Sequence, residues 1–147
     1  THDQSSAASD VYKRQILGMN VFDSMTHSMT TIATGGFSNY NESIGFFDSV
    51  YIEISAMIFI ILGSLPFIAY IKFLSGNRGI FFSDIQIKTF IKTIALSTIL
   101  LMVYLILNNS SNLDIRSIFF NVISILTGTG YVMLNLIIGV VSHYFYF

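Results

Sequence analysis

Two long apolar segments and two short ones alternate along the chain. Residues 54–71 and 87–107 are apolar over a length that can cross a membrane. Residues 20–32 and 114–126 are helical in pattern but only about 20 Å long, which is too short to cross. The pattern therefore predicts an all-α polytopic membrane protein, with two spanning helices and two short helices that enter the membrane without crossing it.

Each short helix runs into a glycine-containing loop, ATGGF after the first and TGTGY after the second. Glycines let the backbone leave helical geometry and turn its carbonyl groups toward a common axis. A helix C-terminus carries partial negative charge, and non-helical backbone at membrane depth has to be buried in protein or line a watery cavity. Two such loops predict helix–pore-loop–helix repeats around a cation path. The alternative is that the glycines only cap helices ending at the surface.

Several residues mark where the predicted helices bend or begin. Pro66 is expected to bend the first span, because it lacks a backbone donor, and Gly63 is expected to let another helix approach closely. Glu53, near the outer end of that span, is expected to lie at the membrane interface. The candidates for N-terminal caps are Asn20 or Asp23 for the first short helix and Asn112 or Asp114 for the second.

Composition agrees with a membrane protein, since 53% of the residues are hydrophobic, 10% are charged and the mean hydropathy is +0.69. The net charge of −1 offers no basic surface for nucleic acid. The chain has no cysteine and its three histidines lack a metal-binding spacing, so we predict no cofactor and no metal site. No nucleophile and base occur in a catalytic pattern, and we predict that the chain is not an enzyme.

Basic residues mark the connector between the two spans. Residues 72–92 contain Lys72, Arg78, Lys88 and Lys92 against the single acid Asp84. By the positive-inside rule, the connector at residues 74–86 is cytoplasmic. The two glycine-containing loops are then expected nearer the outer face.

The segment from residue 22 to residue 131 resembles a known transporter superfamily. ATGGFSNYNESIGFFDS, the later ILGSLPF and ISILTGTGY are similar to motifs of the Trk/Ktr/HKT superfamily of potassium transporters, and most similar to its bacterial Trk type. Members of the superfamily have four helix–pore-loop–helix repeats in one chain, arranged around a central filter. The resemblance implies that this chain is a fragment, with residues 16–73 from the second repeat and residues 87–131 from the third.

The resemblance also implies which residues meet the ion. The filter stretches would be Ala33, Thr34, Gly35 and Gly36 in the second repeat and Thr127, Gly128, Thr129 and Gly130 in the third. The implied function is uptake of potassium, the transported substrate, across the plasma (inner) membrane through a filter of backbone carbonyls. The implied partners are membrane lipid, a second copy in a homodimer and a cytoplasmic nucleotide-binding regulatory subunit.

Both ends of the chain differ from the middle. Residues 1–15 are polar, and SSAASDVYKRQ resembles translated library-adapter sequence, so we predict a leader that is non-native or disordered; a genuine exposed loop is the alternative. After Tyr131 the resemblance stops, but the codons implied by MLNLIIGVVSHY can spell Asn-Asn-Trp-Gly in a shifted frame, similar to the pattern of the family. We predict a frameshift near Val132, which would make residues 132–147 non-native. The alternative is a divergent helix of the third repeat.

Two other functions stay open. One is a sodium-permeable or sodium/potassium member of the same superfamily, since some relatives carry serine in place of one filter glycine. Gly36 and Gly130 are both glycine, but the first-repeat position is outside this chain. The other is a non-transporting polytopic membrane subunit, in which the glycines serve only helix packing. That function predicts that Gly36 tolerates alanine without a change in ion flux.

Overall fold

The computed structural model describes residues 2–76, 79–107 and 114–133, and the regular elements in these ranges are all helical. In chain order these ranges contain α1 (His2–Ile16), α2 (Val21–Ile32), a 3-10 helix (Ser43–Phe47), α3 (Val50–Gly63), α4 (Phe67–Leu74), α5 (Ile80–Ser83), α6 (Ile85–Leu107) and α7 (Ile115–Leu126). The all-α prediction is confirmed for this part of the chain.

The two short helices lie where the sequence pattern predicts them. α2 and α7 each have 12 residues, and their bounds correspond at a constant offset of 94 positions. The Asn20 side chain caps α2 by accepting a hydrogen bond from the amide of Asp23 at 2.8 Å, and Asp114 caps α7 by accepting from Arg116 at 3.2 Å. Asn20 and Asp114 are thus the caps among the predicted candidates, and Asn112 lies outside the described residues.

The first predicted span is broken rather than bent. α3 and α4 meet at an angle of 88°, where the sequence predicted one helix over residues 54–71. Pro66 has no amide hydrogen for the Leu62 carbonyl four residues earlier, and its ring clashes with a continuing helix. The Tyr70 hydroxyl donates to that carbonyl instead, and the Leu65 amide lies 3.3 Å from it. The carbonyl freed by the proline is therefore satisfied at the break.

α6 is the one helix in the described ranges that is by itself long and apolar enough to cross a membrane, with a mean hydropathy of 2.2. It begins at Ile85, two residues before the predicted start. α3 and α4 would form a second crossing if the bent pair is counted as one span. Only 11% of the apolar window of α6 is buried within the chain, so most of its surface is free for lipid or further protein.

α3 lies at the centre of the described helices, because it contacts α1, α2, α7 and the 3-10 helix, while α6 packs on α7. The main core contains buried side chains from α3, α6, α7 and the loops, including Ile44, Ile52, Ala56, Ile60, Ile94, Phe120, Ile123 and Tyr131. Gly63 lies against the end of α2, where an added Cβ would be 3.3 Å from the Ile32 carbonyl oxygen. This contact agrees with the predicted close approach of helices at Gly63.

Residues 2–16 form α1, in the segment whose polar sequence predicts a leader that is non-native or disordered. The helix contains no glycine or proline, and an ion pair joins Asp10 to Arg14 one turn later at 2.9 Å. Arg14 also donates to the Thr31 hydroxyl at 2.8 Å, which packs α1 against the end of α2. The non-native origin of this segment stays a prediction. The predicted frameshifted tail lies outside the described residues from position 134 onward.

Candidate functional site: two facing glycine loops

The first glycine loop (residues 33–40) begins with the C-terminal cap of α2. Thr34 lies in the left-handed region with φ of 49°, and its amide nitrogen is 3.1 Å from the Thr31 carbonyl oxygen. The amide nitrogen of Gly35 is 2.7 Å from the Thr30 carbonyl oxygen. These two hydrogen bonds form a Schellman cap. A threonine therefore caps the helix, and Gly36 has another structural role.

The second glycine loop (residues 127–133) ends α7 in a similar way with a different residue. Gly128 has a φ of 74° and its amide nitrogen lies 3.1 Å from the Ile125 carbonyl oxygen. Gly130 follows with a φ of 82°. The hydroxyl groups of Thr127 and Thr129 lie 2.8 Å apart, and the Thr129 side chain is buried. The loop thus buries a threonine side chain and leaves its glycine backbone exposed.

The two loops contact each other through their backbones. A Cβ atom added to Gly36 would lie 1.8 Å from the Thr129 carbonyl oxygen and 3.0 Å from the Gly130 carbonyl carbon. Gly36 also has a φ of 63°, which disfavours any side chain. Of the eight predicted filter residues, the structure therefore brings Gly36, Thr129 and Gly130 into direct contact. Their role toward an ion stays a prediction.

The loops present peptide groups rather than charged side chains. Ala33, Gly35, Gly128 and Gly130 are exposed, so their backbone is accessible. Backbone carbonyl oxygens can replace the hydration shell of a monovalent cation. Among the described residues, no three histidine, aspartate or glutamate side chains converge in a group that could hold a metal ion.

One face of α2 holds the residues that follow the glycines of the first loop. Successive contacts are made by Thr30 to Phe37, by His27 to Ser38, and by Asp23 to Asn39 and Tyr40. The Thr30 hydroxyl donates to the Phe37 carbonyl at 3.0 Å. His27 is buried, with Nδ1 2.8 Å from the Asp23 carbonyl oxygen and Nε2 2.9 Å from the Ser38 hydroxyl. Because a carbonyl only accepts, Nδ1 of His27 carries the proton and Nε2 accepts from Ser38.

Asp23 is the charged member of this set, and its carboxylate accepts three side-chain hydrogen bonds. The donors are Asn20 at 2.7 Å, Asn39 at 3.0 Å and Tyr40 at 2.8 Å. Burial acts to raise the pKa of Asp23, but the hydrogen bonds from Asn39, Tyr40 and Asn20 outweigh it and hold the pKa below the ordinary value. The carboxylate is therefore ionised at neutral pH and fixes the end of the first loop to the start of α2.

α7 repeats part of this arrangement at the offset of 94 positions. Ser124, which corresponds to Thr30, donates to the Tyr131 carbonyl at 2.7 Å. Asn121, which corresponds to His27, accepts from the Met133 amide at 3.1 Å. In both loops a helix hydroxyl therefore holds the carbonyl of the aromatic residue after the last glycine, and that carbonyl faces its own short helix.

A buried carboxylate links α3 to α7. Glu53 is 1% exposed and its Oε2 lies 3.1 Å from Nε of Arg116, which is 33% exposed. Asp114 lies 3.7 Å from the same nitrogen. Glu53 is thus buried within the chain with Arg116 of α7 beside it, and its position relative to the membrane interface stays a prediction.

Sequence reasoning missed the side chains that hold the loops. The sequence pattern indicates Asp23 only as a candidate cap, and it does not indicate His27, Thr30 or Ser124 as loop contacts. A signal was nevertheless present, because the offset that aligns the two glycine loops also aligns Thr30 with Ser124. Two hydroxyl residues at one position of two short helices could have indicated a shared role.

The chain is similar to known transport proteins. The family model TrkH, described as a cation transport protein, matches residues 5–142. The Trk system potassium uptake protein TrkI of Halomonas elongata is 32% identical over 116 residues, covering 78% of this chain and 24% of that protein. TrkH of Escherichia coli, also a Trk system potassium uptake protein, is 32% identical over 118 residues with the same coverage.

A solved structure agrees with the fold. The crystal structure of the potassium transporter TrkH from Vibrio parahaemolyticus matches with a TM-score of 0.80 and 27% identity, over 88% of this chain and 29% of that chain. The chain thus spans about a quarter of the length of the curated relatives it matches. The family match extends beyond residues 22–131 at both ends, into the segments that the sequence analysis assigned to a leader and a frameshifted tail.

Proposed function

Because the chain belongs to the TrkH family of cation transport proteins, we propose that its two glycine loops are the second- and third-repeat parts of a potassium uptake path. The filter residues are then Ala33, Thr34, Gly35 and Gly36 together with Thr127, Gly128, Thr129 and Gly130. Backbone carbonyls of these residues replace the hydration shell of the ion, and several weak sites in series let it leave as well as enter. The chain acts as a transporter segment, and it is neither an enzyme nor the holder of a resident cofactor.

The contact between the two loops is the observation that carries this proposal. Two helices too short to cross a membrane both end at one place, where Gly36 meets the Thr129 carbonyl oxygen. The C-termini of both helices bring partial negative charge toward that place, which favours a cation. A pair of unrelated surface caps would have no reason to meet.

The glycines themselves argue against a non-transporting membrane subunit. Gly63 has the role that such a subunit requires, because it lets α3 pack against the end of α2. Gly36 instead contacts the backbone of another loop, and the helix cap beside it is supplied by Thr34. Helix packing thus involves Gly63, whereas the contact between the two glycine loops involves Gly36.

A sodium-permeable or sodium/potassium transporter is the second candidate function. Gly36 and Gly130 both have a left-handed backbone, and neither position is occupied by serine. The relatives in Halomonas and Escherichia are named as potassium uptake proteins. Both observations favour potassium over sodium as the substrate.

Uptake of rubidium, a potassium analogue, tests the proposal in cells that lack their own potassium uptake. The full-length protein that contains this segment should raise rubidium uptake above the empty vector and should exclude sodium. Gly36→Ser should lower rubidium uptake or the ratio of rubidium to sodium uptake, normalised to protein in the membrane. Gly63→Ser is the control, because it should change abundance without changing that ratio. No uptake above the vector, or an unchanged rate and ratio in Gly36→Ser, would contradict the proposal.

The orientation proposed for the plasma (inner) membrane puts the connector at residues 74–86 on the cytoplasmic side. Its support is the basic flank formed by Lys72, Lys88 and Lys92. In the full-length protein, Asn41→Cys should react with an impermeant thiol reagent added from outside, and Ser75→Cys should be protected. The reverse labelling pattern would invert the topology and remove the filter assignment.

The partners implied by the family resemblance belong to the same proposal. The exposed surface of α6 is suited to membrane lipid. A second copy of the transporter and a cytoplasmic nucleotide-binding regulatory subunit complete the assembly. Purification of the full-length protein in mild detergent, followed by mass measurement with and without the regulatory subunit, tests both protein partners.

A further inference from the structure

The Tyr131 side chain crosses from the second glycine loop to the helix that precedes the first. It is only 1% exposed, although it lies one residue after the exposed Gly130. Its hydroxyl oxygen lies 2.5 Å from the Thr30 hydroxyl, 3.0 Å from the His27 carbonyl oxygen of α2 and 3.1 Å from the Thr31 hydroxyl. Because the Thr30 hydroxyl donates its one proton to the Phe37 carbonyl, the Tyr131 hydroxyl is the donor to Thr30. One phenol group therefore contacts α2 at three positions on one side of the helix, residues 27, 30 and 31.

Thr30 lies at the meeting point of the two loops. Its hydroxyl oxygen is 3.0 Å from the Phe37 carbonyl of its own loop and 2.5 Å from the Tyr131 hydroxyl of the other. Tyr131 is in turn held at both ends, since its carbonyl accepts from Ser124 at 2.7 Å. A continuous series of hydrogen bonds thus runs from α7 through Tyr131 and Thr30 to the first loop.

The connection is made from one loop only. Phe37 corresponds to Tyr131 at the offset of 94 positions, but it has no hydroxyl and is 76% exposed. This side-chain link between the two loops is therefore made from the second loop, by a residue that follows its last glycine. Nothing in the first loop duplicates this contact among the described residues.

We propose that Tyr131 and Thr30 are positioning residues for ion selection, which fix the spacing between the carbonyl groups of the two glycine loops. This inference rests on the proposed function of the loops as parts of one ion path. Selection of a larger over a smaller monovalent ion requires that the carbonyls do not close on the smaller ion, or that their number around it stays constant. A hydrogen-bonded link between adjacent loops meets either requirement, because it resists their relative movement.

Removal of the hydroxyl alone gives the sharpest test. Tyr131→Phe keeps the ring and its burial, and in the full-length protein it should lower the ratio of rubidium to sodium uptake about fivefold, the effect of one typical hydrogen bond. Abundance in the membrane should stay close to wild type. Tyr51→Phe removes an exposed hydroxyl from α3 and serves as the matched control, with an unchanged ratio.

Variants of Thr30 separate a positioning role from a general loss of packing. Thr30→Ser keeps the hydroxyl and should keep the ion ratio, whereas Thr30→Val has nearly the same shape and should lower it. The double variant Thr30→Val with Tyr131→Phe should lower the ratio no further than the larger single effect, because both changes remove one shared contact. If Tyr131→Phe fails to accumulate, the contrast between Thr30→Ser and Thr30→Val decides the question alone.

The possible failures have different causes. A full-length wild type without rubidium uptake above the vector would overturn the proposed function and this inference with it. A selective wild type whose Tyr131→Phe and Thr30→Val variants are equally selective would overturn this inference only. Strictly additive losses in the double variant would also overturn it, because two independent contacts would then be responsible.

Discussion

The two glycine loops follow short helices of the same length, but they have threonine and glycine in the opposite order. α2 and α7 have identical lengths at a constant offset, and two positions after the end of each lies a residue of left-handed conformation. At that position the first loop has Thr34 and the second has Gly128. One position later the order is reversed, with Gly35 in the first loop and Thr129 in the second.

This difference in sequence puts a strained backbone conformation in the first loop, where nearby contacts offset its cost. A β-branched residue in the left-handed region costs roughly 1–2 kcal/mol, whereas glycine adopts it freely. The first loop, which contains Thr34, is also held by more contacts. Thr30 and His27 have counterparts in Ser124 and Asn121 of the second loop, but Asp23 also binds Asn39 and Tyr40 of the first loop. A residue in a strained conformation persists where several surrounding contacts hold it in place, and the contacts of the first loop can hold Thr34 in this way.

The largest expected effect is the difference between alanine substitutions at Gly36 and Gly130, which occupy equivalent positions in the two loops. Gly36→Ala places a Cβ 1.8 Å from the Thr129 carbonyl oxygen, so one loop has to move. Gly130→Ala meets no atom within 4 Å among the described residues and adds only the strain of a positive φ. We expect rubidium uptake per membrane-inserted protein to fall more than about tenfold for Gly36→Ala and clearly less for Gly130→Ala.

Equal losses at the two glycines would contradict this asymmetry. They would indicate that the left-handed backbone, which both positions share, matters more than the contact between the loops. Full uptake in Gly36→Ala would instead support a packing role for that glycine, as in a non-transporting subunit.

The next effect concerns Asp23 and its counterpart Ser117. Asp23→Ala removes the acceptor for Asn20, Asn39 and Tyr40, and hydrogen bonds to a charged group contribute roughly 1.5–3 kcal/mol, less where the donor is exposed to water. Ser117→Ala removes only the 2.6 Å hydrogen bond to the Asp114 carboxylate. We expect a clear drop in the thermal midpoint of the purified full-length protein for Asp23→Ala and a smaller one for Ser117→Ala.

The stability of the Asp23→Ala variant can also be tested as a function of pH. The folded-state pKa of Asp23 is held below its ordinary value of 3.8, so its contribution is complete above that value and is lost only as the pH falls through the lower folded-state value. The difference in thermal midpoint between wild type and Asp23→Ala should therefore be the same at pH 7 and at pH 5. A difference that shrinks between these values would show that the carboxylate is not held in its charged form.

Local pattern was sufficient to predict the short helices, two candidate caps for each of them and α6, because apolar periodicity, length and capping residues act over a few positions. The break at Pro66 was predicted only as a bend, since the outcome depends on whether another group satisfies the freed Leu62 carbonyl. Tyr70 does so from the next helix. Partnerships across the two repeats, such as Tyr131 with Thr30 and Glu53 with Arg116, depend on how distant helices pack, and no local signal encodes that.

A third test uses a contact that only the second short helix has. Arg116 pairs with the buried Glu53 of α3, whereas its counterpart on α2 is the exposed Phe22. Arg116→Met leaves the carboxylate buried without its cation, at a cost of roughly 1–3 kcal/mol, reduced from a fully buried pair because the arginine is partly exposed. We expect lower abundance and thermal midpoint for Arg116→Met and little change for Phe22→Met. Adding Glu53→Gln to Arg116→Met should recover part of the loss, and no recovery would exclude the unpaired charge as its cause.

The smallest expected effect concerns the equivalent positions 34 and 128, where one loop has threonine and the other glycine. Substitutions at these two positions should not change stability in the same direction. Gly128→Ala introduces a side chain at a φ of 74° and should lower the stability of the full-length protein by about 1 kcal/mol. Thr34→Gly removes a β-branched side chain from a φ of 49°. The relief of strain exceeds the roughly 1 kcal/mol of added chain entropy in the unfolded state only slightly, so the thermal midpoint should stay level or rise. A fall for Thr34→Gly as large as that for Gly128→Ala would mean that the Thr34 side chain makes a stabilising contact in the complete transporter. The strain argument for the first loop would then be wrong, and its fastening by Thr30, His27 and Asp23 would need another reason.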